Sequence, residues 1–320
     1  MEPIRPISLA DVRAASKRIE ALITRTPLVR LELPDGSPEI YLKLENLQPI
    51  NAFKLRGAAN AVLSLSLEEQ MRGVWTISAG NAGQGVAYAA REVGIPCTVL
   101  VIETAPETKI ERMRALGAEL VKAPFDVCWK AMEERRYEGM EGVFIHPFDD
   151  HNFIAGNATM ALEIMEDLPE VEAVIAAVGG GGLIAGVGSA MRILKRTAKV
   201  FGAEPETAAP AARSFEKGSA QVFDEWQASF VDGAGGKSMF PRMWERLVPV
   251  MDGSIVVTLD EVKSAMRLIA EKARVIAEGA GGLSVAAALT GKAGHGPIVA
   301  VISGGNIDLR KFGELTGICG

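Results

Sequence analysis

A lysine placed where it can lose its proton is the first residue of chemical interest. Lys54 closes the run Asn51-Ala52-Phe53-Lys54, after an aromatic side chain, where an apolar extended segment meets a helix opening near Leu55. In so uncharged a setting a lysine deprotonates more readily than a solvated one and can attack a carbonyl. Most lysines are solvated surface charges, so Lys54 by itself carries no function. Three segments downstream change that balance.

The first is Ser78-Ala79-Gly80-Asn81-Ala82-Gly83-Gln84-Gly85, between a strand and a helix. Its backbone N–H groups lie at a helix N-terminus, a natural seat for a carboxylate. Ser78 and Asn81 can add side-chain hydrogen bonds. A plain N-cap with close-packed glycines accounts for the same residues equally well. The second is Gly179-Gly180-Gly181-Gly182-Leu183, four consecutive glycines between a buried strand and a helix. Such a run is costly in chain entropy, and it lets backbone amides wrap a dianionic phosphate. Neither G-x-x-x-x-G-K-[ST] nor G-x-G-x-x-G occurs in the chain, which argues against nucleoside triphosphates and dinucleotides. The third is Ser303-Gly304-Gly305-Asn306, after the last apolar strand, at the usual ligand edge of a parallel sheet. Ser303 offers a hydroxyl to a ring nitrogen, although alone this is an ordinary turn. Amine, carboxylate seat, phosphate seat and hydroxyl together describe a phosphate-bearing aldehyde and an amino acid. Pyridoxal 5'-phosphate fits each part.

The elements that must carry these residues alternate regularly. Residues 74–77, 97–101, 119–121, 143–145, 173–178, 200–203 and 298–302 read as strands, and 82–93, 106–117, 127–137 and 183–194 as helices. Asp260 is expected to cap a further amphipathic helix through Lys272. The stretch 207–236, rich in Ala, Ser and Gly, reads as loops over a sheet end. This alternation predicts parallel sheets with helices on both faces. The expected division is a large domain of residues 1–72 and 148–320 with a small inserted domain of residues 73–147.

Composition limits the function classes. The 320 residues are 48% apolar with 34 glycines, and the net charge is −6. That describes a compact α/β protein with a small-molecule substrate and without a nucleic-acid partner. No segment is apolar for long enough to cross a bilayer, and the N-terminus lacks a signal-peptide core. Cys97, Cys128 and Cys319 are too few and too scattered for a disulfide framework, so a cytoplasmic location is expected. His146, His151 and His295 lack metal-ligand spacing. His146 and His151 flank two aspartates, a conceivable metal site, though a loop or a helix cap explains them more simply.

From Thr26-Pro27-Leu28 to Asn306 the chain resembles the serine/threonine dehydratase branch of the fold-type II (tryptophan synthase β-like) pyridoxal phosphate enzymes. The markers are Lys43-Leu44-Glu45-Asn46-Leu47-Gln48-Pro49, Phe53-Lys54, residues 78–86, His146-Pro147-Phe148-Asp149-Asp150, residues 179–183, and Ser303-Gly304-Gly305-Asn306. The resemblance implies two lobes, each a mainly parallel twisted sheet flanked by helices. It implies Lys54 as the residue that carries the cofactor and later moves the α-proton, and Phe53 against the cofactor ring. Asn81 would meet its phenolic oxygen, Gly179 to Gly182 and Leu183 its phosphate, and Ser303 its ring nitrogen. Glu278 would lie near the ring. Ser78, Ala79, Asn81 and Ala82 would hold the substrate carboxylate. The implied reaction takes a β-hydroxy amino acid to a 2-oxo acid and ammonia. A serine at the ring nitrogen leaves the ring a weaker electron sink than an acid would, which suits elimination. The resemblance also implies a homo-oligomer, dimer or tetramer, and no room after Asn306 for a regulatory domain.

The chain departs from that pattern at several positions. Ala52 and Ala82 stand where the family often has serine and histidine, and an apolar Ala82 implies a bulkier substrate such as phenylserine. Ala79 replaces the second acid/base serine of serine racemases. Glu204, in Gly202-Ala203-Glu204-Pro205, matches one ligand of a divalent cation, but Pro210 occupies the aspartate position. No metal is therefore expected, with Glu204, helped by Glu206, the weak candidate. Rival readings are a β-replacement synthase, an amino-acid racemase, a silent amino-acid-binding protein on the same scaffold and, weaker still, a nucleotide-dependent oxidoreductase.

Overall fold

The computed structural model describes residues 4–318, so Cys319 lies outside the described residues. The chain opens with α1 (Leu9–Ile19), β1 (Leu28–Arg30) and β2 (Ile40–Lys43), then a 3-10 turn at Glu45–Leu47, α2 (Lys54–Leu63) and α3 (Leu67–Arg72). A middle stretch runs β3 (Val74–Ile77), α4 (Asn81–Val93), β4 (Cys97–Ile102), α5 (Glu107–Ala115), β5 (Glu119–Ala123), α6 (Phe125–Glu134) and β6 (Val143–Phe144). It continues with α7 (His151–Asp167), β7 (Ala173–Ala177), α8 (Gly182–Leu194), β8 (Lys199–Pro205), α9 (Pro210–Lys217) and α10 (Pro241–Leu247). It closes with β9 (Gly253–Val257), α11 (Leu259–Ala273), α12 (Gly279–Leu289), β10 (Ile298–Val301) and α13 (Leu309–Thr316).

Two sheets result. The larger has the order β1-β2-β10-β7-β8-β9, parallel except for the β1–β2 pair. The smaller, β5-β4-β3-β6, is parallel throughout. Strands apolar on both faces need cover on both sides, and each sheet has it. Val174 and Val299 point into one core with Ile184 and Met160, whereas Ile175 and Ile298 point into another with Met266 and Leu283. In the smaller sheet Val99 joins the core containing Val86 and Met113, and Leu100 packs with Trp75 and Cys128 on the opposite face. Burial pushes the Cys97 thiol up to about 12, so it behaves as a small core residue.

The glycine turn follows β7, the Ser303 turn follows β10 and the Ser78 turn follows β3, each at a C-terminal strand end. The structure corrects several sequence expectations. Helices α2, α4 and α8 each open one residue earlier, at Lys54, Asn81 and Gly182. The cap of α11 is Thr258 rather than Asp260: Thr258 and Glu261 bond each other's backbone N–H groups, leaving Asp260 in the first turn. Residues 207–236 are not all loop. Helix α9 forms there, with Pro210 in its first turn and left-handed Gly218 ending it.

Candidate active site

Lys54 is the first residue of α2, and its position is set by the three residues before it. Asn51 takes the left-handed conformation, at φ 56°, which asparagine tolerates better than most side chains. Ala52 bridges Gly304, and the Phe53 N–H donates to the Ser303 carbonyl at 3.0 Å. The Lys54 segment is thus zipped to the Ser303 turn. The Lys54 Nζ donates to the Pro147 carbonyl oxygen at 2.6 Å and lies 5.3 Å from the ring centroids of both Phe53 and Phe153. No carboxylate pairs with it among the described residues. Burial without a counter-charge lowers its pKa to about 8.

Two amide side chains link the other sequence-predicted residues. Asn81, at the start of α4, donates through Nδ2 to Glu278 Oε1 at 2.8 Å. Its Oδ1 accepts from Asn306 Nδ2, also at 2.8 Å, and that Nδ2 donates to the Ile50 carbonyl as well. Arg112 on α5 donates to Asn306 Oδ1. Glu278 is the N-cap residue of α12, and its N–H donates to the Gly304 carbonyl at 3.0 Å. Asn81, Glu278, Ser303 and Lys54 therefore converge. Ser78 accepts from the Gly80 N–H at 3.1 Å, and Ser78, Ala79 and Asn81 stay partly accessible while Ala82 is buried. Asn306 and the Pro147 carbonyl were not singled out from the sequence. A polar residue closing the Ser303 turn was a signal for Asn306, whereas a backbone carbonyl leaves none.

The glycine turn is a tight fit. Gly181 caps α8 at φ +88°, a conformation L side chains rarely adopt, and a Cβ on Gly180 would lie 2.3 Å from the Phe148 ring. The N–H groups of residues 180–183 have no hydrogen-bond partner among the described residues. Leu183 is buried in the core beneath. Phe148 belongs to the segment that also supplies Pro147, so one short loop touches both the amine and the glycine turn.

That loop is pinned at its far end. Asp149 accepts from Arg135 at 2.6 Å, Arg242 at 2.9 Å and Arg246 at 3.0 Å, and Asp150 caps α7 through the Phe153 N–H. Asp150 thus serves a helix cap, as the simpler reading of the sequence has it, and Asp149 an arginine clamp that the sequence did not announce. Behind Lys54, Arg56 bonds Glu45 and Glu163, and Lys43 bonds Glu163. These two acids and two bases lie in the interior and compensate one another, as buried charges must.

Glu204 is fully engaged. It accepts from the Ala211 and Ala212 N–H groups, at 2.8 and 2.7 Å, and from the Ser254 hydroxyl at 2.7 Å. Burial raises its pKa to about 7 despite these donors. Glu206 accepts from the Leu259 N–H. Among the described residues no three His, Cys, Asp or Glu side chains gather as metal ligands.

The residues suit the cofactor that the resemblance implies. A carbonyl needs an amine near neutrality without a carboxylate partner, and Lys54 is one. A phosphate needs adjacent N–H donors at a helix N-terminus, and residues 180–183 supply orphaned ones.

The chain is 42% identical over 316 residues to the L-threonine ammonia-lyase of Thermotoga maritima, covering 97% of this chain and 78% of that one. Among solved structures, the processed form of threonine deaminase isoform 2 from Solanum lycopersicum superposes with TM-score 0.84 at 30% identity, covering 100% of this chain and 99% of that one. Maize serine racemase gives TM-score 0.86 at 29% identity, with 97% of each chain covered. Residues 19–304 match the family described as pyridoxal-phosphate dependent enzyme, and the chain belongs to it.

Proposed function

We propose that this enzyme is a pyridoxal-phosphate dependent dehydratase (ammonia-lyase) that converts a β-hydroxy amino acid of the threonine/serine type to a 2-oxo acid and ammonia. The observation that carries the proposal is the Lys54 amine, desolvated, bonded to a carbonyl rather than a carboxylate, and opening α2 beside the Ser303 turn. The 42% identity to an L-threonine ammonia-lyase supports the reaction class.

Pyridoxal phosphate, when bound, supplies an aldehyde that condenses with an amine and a conjugated ring that takes up the electrons of the bond broken at the substrate α-carbon. Gly179, Gly180, Gly181, Gly182 and Leu183 would hold its phosphate, Phe53 would pack on the ring, and Asn81, Glu278 and Ser303 would meet the ring's polar atoms. Ser78, Ala79, Asn81 and Ala82 orient the substrate carboxylate on the first turn of α4. Lys54 Nζ takes the α-proton, and the Pro147 carbonyl steadies the ammonium that forms. The β-hydroxyl leaves as water, taking the proton that Lys54 removed, and the released enamine tautomerises and adds water to give the 2-oxo acid and ammonium.

The buried, apolar Ala82 favours a β-substituent larger than that of serine, with phenylserine the proposed extreme. Ala79 brings no hydroxyl to the opposite face of the substrate, so elimination exceeds racemisation, the second reading that the racemase neighbours raise. The 42% identity to an L-threonine ammonia-lyase weighs against a silent binding protein. The proposed domain limits, residues 1–72 with 148–320 and residues 73–147, draw support from the smaller sheet, whose strands all fall between Val74 and Phe144. A homo-oligomer in the cytoplasm completes the proposal. No helix among the described residues is long and apolar enough to cross a membrane.

The test is a visible spectrum of the purified protein followed by 2-oxo acid detection on serine, threonine, phenylserine and 3-hydroxyaspartate. Coloured protein with turnover of threonine or phenylserine is expected. Colourless protein after cofactor addition, or preference for serine or 3-hydroxyaspartate, contradicts the reaction or the substrate proposal respectively.

A further inference from the structure

The loop around Pro147 reaches both the Lys54 amine and the glycine turn, so whatever shapes it sets the geometry of the reacting amine. Its backbone is organised by one ring. His146 Nδ1 accepts from the Asp149 N–H at 3.0 Å and from the Phe148 N–H at 3.3 Å. Bonds from a side chain to the N–H groups two and three residues on are the pattern of an Asx turn, with an imidazole nitrogen in place of the usual oxygen. The ring is buried and wedged edge-on against Phe148, with centroids 4.5 Å apart at 82°. Inside the turn so formed, the Pro147 carbonyl points at Lys54 Nζ from 2.6 Å.

We propose that His146 is a positioning residue: its Nδ1 folds the turn that aims the Pro147 carbonyl at the Lys54 amine, while Asp149, held by Arg135, Arg242 and Arg246, fixes the turn's far end. Two N–H donors on Nδ1 require that nitrogen to be unprotonated, so the ring is neutral and carries its proton on Nε2. The carbonyl then draws one N–H of the amine toward itself in either charge state. An amine without it would swing, and misplacement of a reacting group by about 1 Å costs roughly a hundredfold in rate. Burial, then the Arg135 charge, push the His146 pKa down to about 3, with Asp149 opposing and Lys54 and Arg242 adding to the effect. The folded chain therefore stays neutral at His146 where an unfolded chain takes up a proton, below about pH 6.5. Stability is lost as pH falls from there toward 3.

The inference rests on the reading of Lys54 as the reacting amine. The experiment compares His146→Asn, whose side-chain oxygen can accept the same two N–H groups, with His146→Leu, which fills the space and accepts nothing. Three quantities are measured on the full chain. They are kcat and KM for dehydration by the cofactor-loaded protein, the rate of Lys54 reductive alkylation by formaldehyde and cyanoborohydride in cofactor-stripped protein, followed by mass spectrometry, and Tm between pH 4 and 7. His146→Leu is expected to lose roughly a hundredfold in kcat at little-changed KM and to alter the Lys54 alkylation rate. His146→Asn is expected to keep both near the parent values and to lose part of the parent's fall in Tm below pH 6.5. If the leucine variant matches the parent in kcat and labelling, or the folded asparagine variant fails as badly as leucine, the proposal is overturned. Should the leucine variant fail to fold, the asparagine variant decides alone. Full turnover in Lys54→Ala would instead remove the underlying reading of the amine.

Discussion

Arg56 and Glu163 tie α2 to α7 through paired hydrogen bonds, Nη1–Oε1 at 2.7 Å and Nη2–Oε2 at 2.9 Å, with Arg56 wholly buried. Arg56 stands two residues beyond Lys54, and its Nε and Nη2 both bond Glu45, at 2.8 Å each. Helix α2, which starts with Lys54, is thus locked between two acids from other parts of the chain.

Breaking that lock should cost stability. Glu163→Ala leaves Arg56 and Lys43 short of a partner in the interior and is expected to destabilise the fold by ~3–5 kcal/mol. Urea unfolding measures it. Glu163→Gln, which keeps the shape and one acceptor, should cost less. A glutamine variant as stable as the parent would show that the charge pairing contributes little.

Lys54 should set a pH dependence. With its pKa lowered to about 8, the unprotonated and reactive fraction rises ~tenfold per pH unit up to that value and then levels off. The rate at which cofactor-stripped protein recovers its visible band on addition of pyridoxal phosphate should follow that curve. Continued acceleration to pH 10 would mean that the amine is not desolvated as the structure has it.

Ala82 is expected to control substrate size. Ala82→His should lower kcat/KM for phenylserine relative to threonine by ~1–3 kcal/mol in transition-state terms. An unchanged ratio would place the β-substituent elsewhere.

Metal removal should leave turnover unaltered. Both Glu204 oxygens are occupied, by two backbone N–H groups and the Ser254 hydroxyl, and Pro210 offers no oxygen ligand on its side chain. Dialysis against EDTA, then readdition of Mg²⁺, checks this. A clear loss and recovery would require Glu204 to exchange those bonds for a cation.

The sequence carried the local signals of the site. Four glycines between an apolar strand and a helix, and the turns at Ser78 and Ser303, marked the strand ends where the candidate site residues gather, because a turn's composition reflects its own backbone. What stayed hidden depended on distant partners. The pairing of Arg56 with Glu163 spans 107 residues, and that of Asp149 with Arg242 spans 93, and no periodicity records such contacts. Pro147 meets Lys54 through a carbonyl, which every residue possesses. The helix inside residues 207–236 was masked by small residues, since Glu204 supplies its N-terminal acceptor from outside the segment. The Thr258 cap is legible as Thr-x-x-Glu, and the more polar Asp260 beside it obscures that signal.

The central claim is that the amine of Lys54 performs the chemistry. The most direct measurement is 2-oxo acid formation from threonine by Lys54→Ala, alongside the parent, with Tm and cofactor binding recorded for both. The folded variant is expected to bind pyridoxal phosphate only noncovalently and to lose essentially all turnover. A variant that turns threonine over at the parent's rate would contradict the claim.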